Sequence, residues 1–176
     1  MLRGINVAGH NMIKMEELRL MCNDIGFDNV KTYLQSGNII FQNPTIDNST
    51  NLSIRIHESI QHKFGFNVPV IVRSSKEMER IIANNPFLKQ KGIDPTKLHV
   101  TFLSQIPEKD LMKKLEKLPT TNADCYQAAS QELYLYCPNG YGRTKLSNTA
   151  VEKTLSVIAT TRNWNTTKTL SEMVSG

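Results

Sequence analysis

Long apolar runs and aromatic residues are scarce in this chain of 176 residues, of which 7% are aromatic. The longest nearly apolar stretch, residues 68–72, contains Pro69 and is far shorter than the roughly 20 residues that a transmembrane helix needs. No basic segment followed by an apolar one opens the chain, so we expect no signal peptide. These absences predict a cytoplasmic protein without a membrane partner.

Cysteine is also sparse, and Cys22, Cys125 and Cys137 show no Cys-x-x-Cys spacing. An odd number of cysteines without that spacing favours small buried side chains over disulfides or metal ligands. A reactive thiol needs a helix N-terminus or a paired histidine, and the sequence shows neither beside these residues.

Histidine gives no metal-binding pattern either. His57 and His62 are five residues apart on one predicted helix, which places them on different faces. His99 lies in a predicted strand, where a hydrogen-bonded structural role is expected. We therefore predict neither a metal nor a cofactor.

The net charge of +5 and the pI near 9.1 favour anionic partners such as nucleotides, nucleic acid or phosphorylated metabolites. Part of this excess lies on one predicted helix at Lys109, Lys113, Lys114 and Lys117, and such a run usually marks a solvated helix face.

Hydrophobic periodicity divides the first half into a β-α-β-β-α-β order. The first helix carries Met15, Leu18, Cys22 and Ile25 and ends at Gly26. The second helix has apolar residues at i+4 steps and ends near Gly65. The predicted strands are residues 1–7, 29–34, 38–42 and 68–73.

A linker helix begins with a capping box formed by Ser74 and Glu77, and residues 88–95 follow without periodicity. We expect the two halves to meet there, so that the first unit spans residues 1–86 and the second spans 97–176.

The second half repeats the same order of elements. Its predicted strands are residues 98–104, 123–129, 132–137 and 157–160, and its predicted helices are 107–118, 146–155 and a last helix that begins with Thr161 as its N-cap. The repeat predicts an α+β protein built from two tandem ferredoxin-like units with antiparallel sheets.

Four segments are richer in glycine, asparagine and basic residues than packing requires. They lie at residues 2–14, 35–38, 139–145 and 160–166. The candidate ligand-binding residues in them are Arg3, Asn6, His10, Lys14, Gln35, Ser36, Asn38, Asn139, Tyr141, Arg143, Lys145, Arg162, Asn163 and Asn165.

Several blocks in these segments closely resemble a bacterial family catalogued as domain of unknown function 1697. They are LRGINV, YLQSGNIIF, NPF, LHVTFL, ELYLYCPNGYGRTKL and ATTRNWNT, in that order along nearly the whole chain. The resemblance implies a duplicated ferredoxin-like fold and brings no activity with it. Family members usually carry several residues before LRGINV, so either the first strand is shortened here or the chain start was assigned late.

Each polar segment has a structural interpretation beside the functional one. The 139–145 segment is either a turn whose glycines take positive φ or a loop that opens a helix and presents amides, Arg143 and Lys145 to an anion. The 35–38 segment is either a hairpin turn or an amide cluster for a polar ligand. The 161–166 segment is either a helix cap anchored by Trp164 or part of the same anion site. We expect Arg143, Lys145 and Arg162 to face one concavity.

These patterns leave three functions open. The leading hypothesis is binding of an anionic, phosphate-bearing or nucleotide-like ligand through the loops. The second is an enzyme acting on a small phosphorylated or acyl metabolite, with His10 moving a proton. The third is an RNA- or DNA-binding module, although the paired aromatic residues of such sheets are not visible. The oligomeric state is left open.

Overall fold

A computed structural model describes residues 1–117 and 123–175. The fold combines helices with antiparallel strands. Internal contacts group the chain into two compact units. The first comprises Met1–Glu77 and the residues from Leu170 on, and the second comprises Met78–Thr169.

The first unit packs two helices against a β-hairpin. Its elements are α1 (Met15–Asp24), β1 (Asp28–Tyr33), β2 (Asn38–Gln42) and α2 (Ser49–Phe64). The periodicity of the sequence predicted both helices, and their apolar faces are buried, as at Leu18, Ile56 and Ile60. Asn48 caps the start of α2 by accepting the Asn51 N–H, and Gly65 ends the helix with a left-handed φ of 73°.

The predicted outer strands of this unit, residues 1–7 and 68–73, are reduced to one antiparallel bridge between Leu2 and Val70. The prediction of two full-length strands here is therefore wrong. The backbone from residue 4 onwards takes positive φ at Gly4, Asn6 and Ala8, a conformation that a strand does not tolerate.

The capping box predicted for the linker helix is confirmed. The helix, α3, spans Ser75–Ala83. The Ser74 N–H and Oγ both donate to Glu77 Oε2 at 2.8 Å, and the Glu77 N–H donates to Ser74 Oγ at 3.3 Å.

The second unit is built on a four-stranded antiparallel sheet in the order β4-β5-β3-β6. The strands are β3 (Leu98–Leu103), β4 (Cys125–Ala129), β5 (Glu132–Tyr136) and β6 (Ala159–Asn163). The helices that follow β3 and β5 are α4 (Lys109–Leu115) and α5 (Asn148–Leu155). The last helix, α6, spans Trp164–Ser175, and short 3-10 helices lie at Pro86–Lys89, Pro95–Lys97 and Tyr141–Arg143. The end of the predicted helix 107–118 lies outside the described residues.

Both faces of this sheet are covered by segments of the same unit. Leu103 and Leu135 pack with Leu115 of α4 and Val151 of α5 in one core cluster. On the other face, the Tyr134 hydroxyl donates to the Ile81 carbonyl of α3 at 3.1 Å. Successive strand residues point to opposite faces of the sheet, so neighbouring residues of one strand contact helices on both sides.

The end of the sheet differs from the expected order. Thr161 was expected to cap the last helix, but it lies inside β6 and is paired with Thr101. The cap is Asn163, whose Oδ1 accepts the Thr166 N–H at 2.7 Å. Local sequence misleads here because the polar, β-branched run 160–161 owes its strand conformation to pairing with a distant partner.

No helix among the described residues is both long and apolar enough to cross a bilayer.

Candidate functional site

The N-terminal loop, residues 3–14, is fastened to the 35–38 turn by the side chain of Asn6. Its Nδ2 donates to the Ile13 carbonyl at 3.0 Å and to the Gln35 carbonyl at 2.9 Å, while its Oδ1 accepts the Ile13 N–H at 2.8 Å. In the turn, Asn38 is buried and its Nδ2 donates to Tyr33 O at 2.8 Å and Ser36 Oγ at 3.3 Å. The two amide side chains therefore hold backbone together in this structure.

The remaining predicted site residues of the first unit surround this junction. Arg3 is half-buried, and its N–H donates to Pro69 O at 2.9 Å. His10, Lys14, Gln35 and Ser36 are exposed, and the Lys14 ammonium lies 3.5 Å from Glu17. The structure thus brings Asn6 beside Gln35 and Ser36 beside Asn38.

The 139–145 loop of the second unit was expected to lead directly into a helix, but it does not. Gly140 takes a φ of 90°, the 3-10 helix follows, and α5 starts only after Ser147, which caps it through the Ala150 N–H. The intervening segment is held by Thr144 Oγ1, which accepts the Leu146 N–H at 3.1 Å. Because the amides at the start of α5 are separated from the glycines, the loop lacks the expected helix N-terminus.

Tyr141 anchors this loop on the sheet. Its hydroxyl donates to Thr161 Oγ1 at 2.9 Å. Thr161 Oγ1 in turn donates to Asn148 Oδ1 at 2.7 Å and lies 2.8 Å from Thr101 Oγ1. One hydroxyl group has a single proton and two acceptor positions, so these three contacts satisfy Thr161.

His99 stacks on Tyr141 with a centroid distance of 5.1 Å. Its Nδ1 lies 3.1 Å from the Lys97 carbonyl, which requires a proton on Nδ1 and leaves Nε2 as an acceptor in the neutral ring. Burial lowers the pKa of His99, and the contact with Lys97 O opposes that shift only in part. The sequence predicted a structural strand histidine and gave no signal that Tyr141 would lie against it.

Arg162 and Tyr141 lie on opposite faces of the sheet. Arg162 is adjacent to Thr161 in β6, and successive strand side chains point to opposite faces, so it faces away from Tyr141. Its side chain is buried, and Nη1 donates to Thr160 Oγ1 and to Thr161 O, both at 2.9 Å. This placement of Arg162 gives no support to the expected shared concavity of Arg143, Lys145 and Arg162, which stays a prediction.

The other polar residues of these two segments are on the surface. Arg143 and Lys145 are exposed, as are Asn139 and Asn165. Asn163 is also exposed, with its Oδ1 committed to capping α6.

A cleft that the sequence did not reveal lies in the first unit, beside the β1-β2 hairpin. We call it the hairpin cleft, and its volume is about 590 Å³. That size falls within the range of roughly 300–1,000 Å³ typical of small-molecule sites. Its lining comes from both hairpin strands, the start of α2, residues 72–75 and the end of α6. The lining residues are Asn29, Lys31, Ile40, Phe41, Gln42, Asn43, Asp47, Ser49, Leu52, Val72, Arg73, Ser74, Ser75, Met173 and Val174.

Among the described residues that line the hairpin cleft, cationic side chains outnumber acidic ones. Lys31 and Arg73 are cationic, and Asp47 is the acidic residue in this lining. Asp47 Oδ2 accepts the Thr45 hydroxyl at 2.7 Å and lies 3.7 Å from Arg55 Nη1, so a neighbouring guanidinium balances its charge. Within residues 1–117 and 123–175, the Lys31 ammonium has no ion-pair partner.

The start of α2 reinforces this bias. Ser49, the first residue of the helix, lines the cleft, and the first turn of α2 contains no acidic residue. A helix N-terminus carries about half a positive charge. The start of α3 at Ser75 contributes less, because the Glu77 carboxylate already accepts two hydrogen bonds there.

The described part of the chain contains no group of three or more histidine, cysteine, aspartate or glutamate side chains arranged to hold a metal ion. The residues that line the hairpin cleft supply cations, amides, hydroxyl groups and apolar side chains.

Comparisons with known proteins identify a family. Residues 1–134 match the family described as "Protein of unknown function (DUF1697)". Curated proteins give no match. A solved structure described as a conserved bacterial protein from Streptococcus pneumoniae is 22% identical and superposes with a TM-score of 0.72, covering 99% of this chain and 97% of that one. At this identity the likeness concerns the fold. Since the match to the family spans most of the sequence, the chain belongs to the DUF1697 family of proteins of unknown function.

Proposed function

We propose that the first unit binds a small anionic, phosphate-bearing metabolite in the hairpin cleft. The observation that carries this proposal is the pair of cations, Lys31 and Arg73, in the lining of one concavity. The acid in the same lining, Asp47, is already engaged by Arg55. An anion would therefore supply countercharge beside Lys31, whose ammonium has no ion-pair partner among the described residues.

Apolar residues in the lining favour an organic anion over a bare inorganic ion. Ile40 and Leu52 are each 8% exposed, and Val72 and Met173 are half-buried. Binding pockets for metabolites commonly combine such apolar walls with a few polar groups that orient the ligand. A phosphate beside the cations and a carbon skeleton against the apolar side chains would use both kinds of lining residue.

The loop residues selected from the sequence support a separate binding hypothesis. Arg143 and Lys145 are exposed on the 139–145 loop and remain available to an anion. The hairpin cleft is the stronger candidate because it adds enclosure and apolar surface to a pair of cations. The hairpin cleft is likewise a stronger candidate than Lys14 in the N-terminal loop, whose ammonium is 3.5 Å from Glu17.

A second candidate function is proton transfer at His99. Its Nε2 has no hydrogen-bond partner among the residues that the structure describes, and Nδ1 is fixed by Lys97 O. A neutral imidazole held in one tautomer is the state that a general base requires. His99 therefore replaces His10 as the residue best placed for the enzymatic alternative.

Nucleic acid binding on the sheet of the second unit receives less support. Sheets that bind RNA present open aromatic residues for base stacking. Here Tyr134 is 2% exposed and bonded to α3, and Tyr136 lies 6.3 Å from the Phe87 ring. The aromatic side chains of β5 are thus engaged within the protein.

We further propose that both units are ferredoxin-like. In the second unit, the β-α-β-β-α-β order and the β4-β5-β3-β6 arrangement support this. In the first, support comes from the hairpin, two helices and the bridge between Leu2 and Val70. The junction at residues 87–96 stays a prediction. A cytoplasmic location also stays a prediction, and the three free thiols agree with a reducing compartment.

Isothermal titration calorimetry with inorganic pyrophosphate and ribose 5-phosphate tests the binding proposal. Lys31→Gln should raise the Kd about tenfold or more, since a hydrogen bond to a charged group contributes about 1.5–3 kcal/mol. Arg73→Gln should act in the same direction, and Lys145→Gln, which removes one charge from the exposed loop, is the matched control. Equal weakening by Lys31→Gln and Lys145→Gln, or no binding by the parent protein, would contradict the proposal.

A further inference from the structure

Two amide side chains form a hydrogen-bonded pair in the lining of the hairpin cleft. Asn29 of β1 donates from Nδ2 to Oε1 of Gln42 on β2 at 2.7 Å. Both residues are exposed and both line the cleft. Asn29 lies where the register of the hairpin shifts, between the pairs formed by Asp28 and Lys31, and it has a positive φ of 51°. Such a bulge changes the direction in which a side chain points, and bulges are over-represented next to active sites.

The bond between the two amides leaves complementary groups unused. Gln42 retains both hydrogens on Nε2, and Asn29 retains its Oδ1 acceptor. Among the described residues, neither group has another hydrogen-bond partner. A donor and an acceptor side by side match the edge of a nucleobase, which presents a ring nitrogen or carbonyl next to an amino or imino group.

The positions of the other lining residues suit the rest of such a molecule. Lys31 follows Asn29 by two residues and pairs across the hairpin with Ile40, which is 8% exposed. The lining of the cleft therefore contains an amide pair, apolar surface at Ile40 and two cations, Lys31 and Arg73.

We infer that the ligand of the hairpin cleft is a nucleoside phosphate whose base is bound by Asn29 and Gln42 and whose phosphate is bound by Lys31 and Arg73. This inference rests on the proposed function and adds recognition of a heterocycle to it. Ile40, beside Lys31 in the hairpin, contributes apolar surface for the base or the sugar.

Calorimetry on the intact chain with ribose 5-phosphate and with the four ribonucleoside 5′-monophosphates tests the inference. At least one nucleotide should bind about tenfold or more tightly than ribose 5-phosphate, because two hydrogen bonds to a base edge discriminate by about that factor. Two variants remove the amides without adding charge. Gln42→Met keeps the length of the side chain, and Asn29→Gly keeps the positive φ accessible.

Each variant should bring the Kd of that nucleotide to within about threefold of that of ribose 5-phosphate, whose own Kd should change less than about threefold. If ribose 5-phosphate binds as tightly as every nucleotide, base recognition is refuted while anion binding stands. If neither compound binds the parent protein, both the inference and the proposed function fail. If the nucleotide preference survives in both variants, the base is recognised elsewhere and the assignment to Asn29 and Gln42 is overturned.

Discussion

A β-carbon at position 37 would lie 2.6 Å from Cδ1 of Ile5, because the turn after β1 packs directly on the N-terminal loop. It would also lie 2.9 Å from Cβ of Leu2. Ile5 is 1% exposed and Leu2 is fully buried, so neither side chain has room to move aside. Gly37 also takes a φ of 78°, which adds a backbone reason for glycine.

We therefore expect Gly37→Ala to lower the free energy of unfolding by about 2–4 kcal/mol, combining overpacking with left-handed strain. Urea denaturation measures this change. Gly65→Ala is the matched control, because Gly65 has a φ of 73° and no described atom within 4 Å of its β-carbon position. The control should lose about 1 kcal/mol. Equal losses in the two variants would refute the close packing of the turn on Ile5.

Asn6 provides a second test of that junction. Asn6→Asp removes the Nδ2 donor, so the Ile13 and Gln35 carbonyls both lose a hydrogen bond. We expect a loss of about 1–3 kcal/mol in urea denaturation. Asn51→Asp adds the same charge in the first turn of α2, where a carboxylate is favourable, and should leave stability unchanged or slightly higher. A stable Asn6→Asp protein would show that the amide does not hold the loop.

Stability should depend on pH through His99. Burial lowers its pKa in the folded state, so the unfolded chain binds the proton more readily and acid favours unfolding. The contribution of the neutral His99 ring to the free energy of unfolding is complete above about pH 6.5, the pKa of an unperturbed histidine. This contribution is lost as the pH falls through the lower pKa of His99 in the folded state. Between pH 7.5 and 5.5, the parent protein should lose more stability than His99→Gln. Parallel losses in urea denaturation would contradict the burial of this ring.

Thiol accessibility distinguishes the three cysteines. Cys22 and Cys137 are fully buried, and burial raises the pKa of the Cys22 thiol to about 12 and that of Cys137 to about 11. Cys125 is exposed on β4, contrary to the buried role expected from the sequence. Native protein treated with iodoacetamide should gain one adduct by mass spectrometry, located on Cys125, and three after denaturation. Rapid native labelling of Cys22 or Cys137 would contradict the packing described.

Local signals in the sequence predicted much of this fold. The i+4 spacing of Leu52, Ile56 and Ile60 located α2, and Gly65 marked its end, because both patterns depend on residues within a few positions of each other. The capping box at Ser74 and Glu77 is equally local. The strand conformation of Thr161 was missed because it depends on pairing with Thr101, sixty residues earlier.

The hairpin cleft was missed for the same physical reason. The cleft is lined by residues that are far apart in sequence, such as Lys31, Asp47, Arg73 and Met173. None of them belongs to a local sequence pattern that predicts a binding site. The bulge at Asn29 is not marked by any sequence motif. Glycine- and asparagine-rich loops were easier to recognise, but Asn6, Asn38 and Asn163 use their side chains to hold backbone groups. Composition identified polar residues with specific roles, but it did not distinguish ligand binding from structural hydrogen bonding.

Nuclear magnetic resonance titration of the intact, ¹⁵N-labelled protein with ribose 5-phosphate locates the bound anion on the protein. If the hairpin cleft is the site, the amide signals of residues 29–31, 40–43 and 72–75 should shift in a saturable manner while those of residues 139–145 stay in place. Lys31→Gln should weaken the response of the same signals. Saturable shifts confined to residues 139–145, or no shifts at millimolar ligand, would contradict the assignment of anion binding to the hairpin cleft.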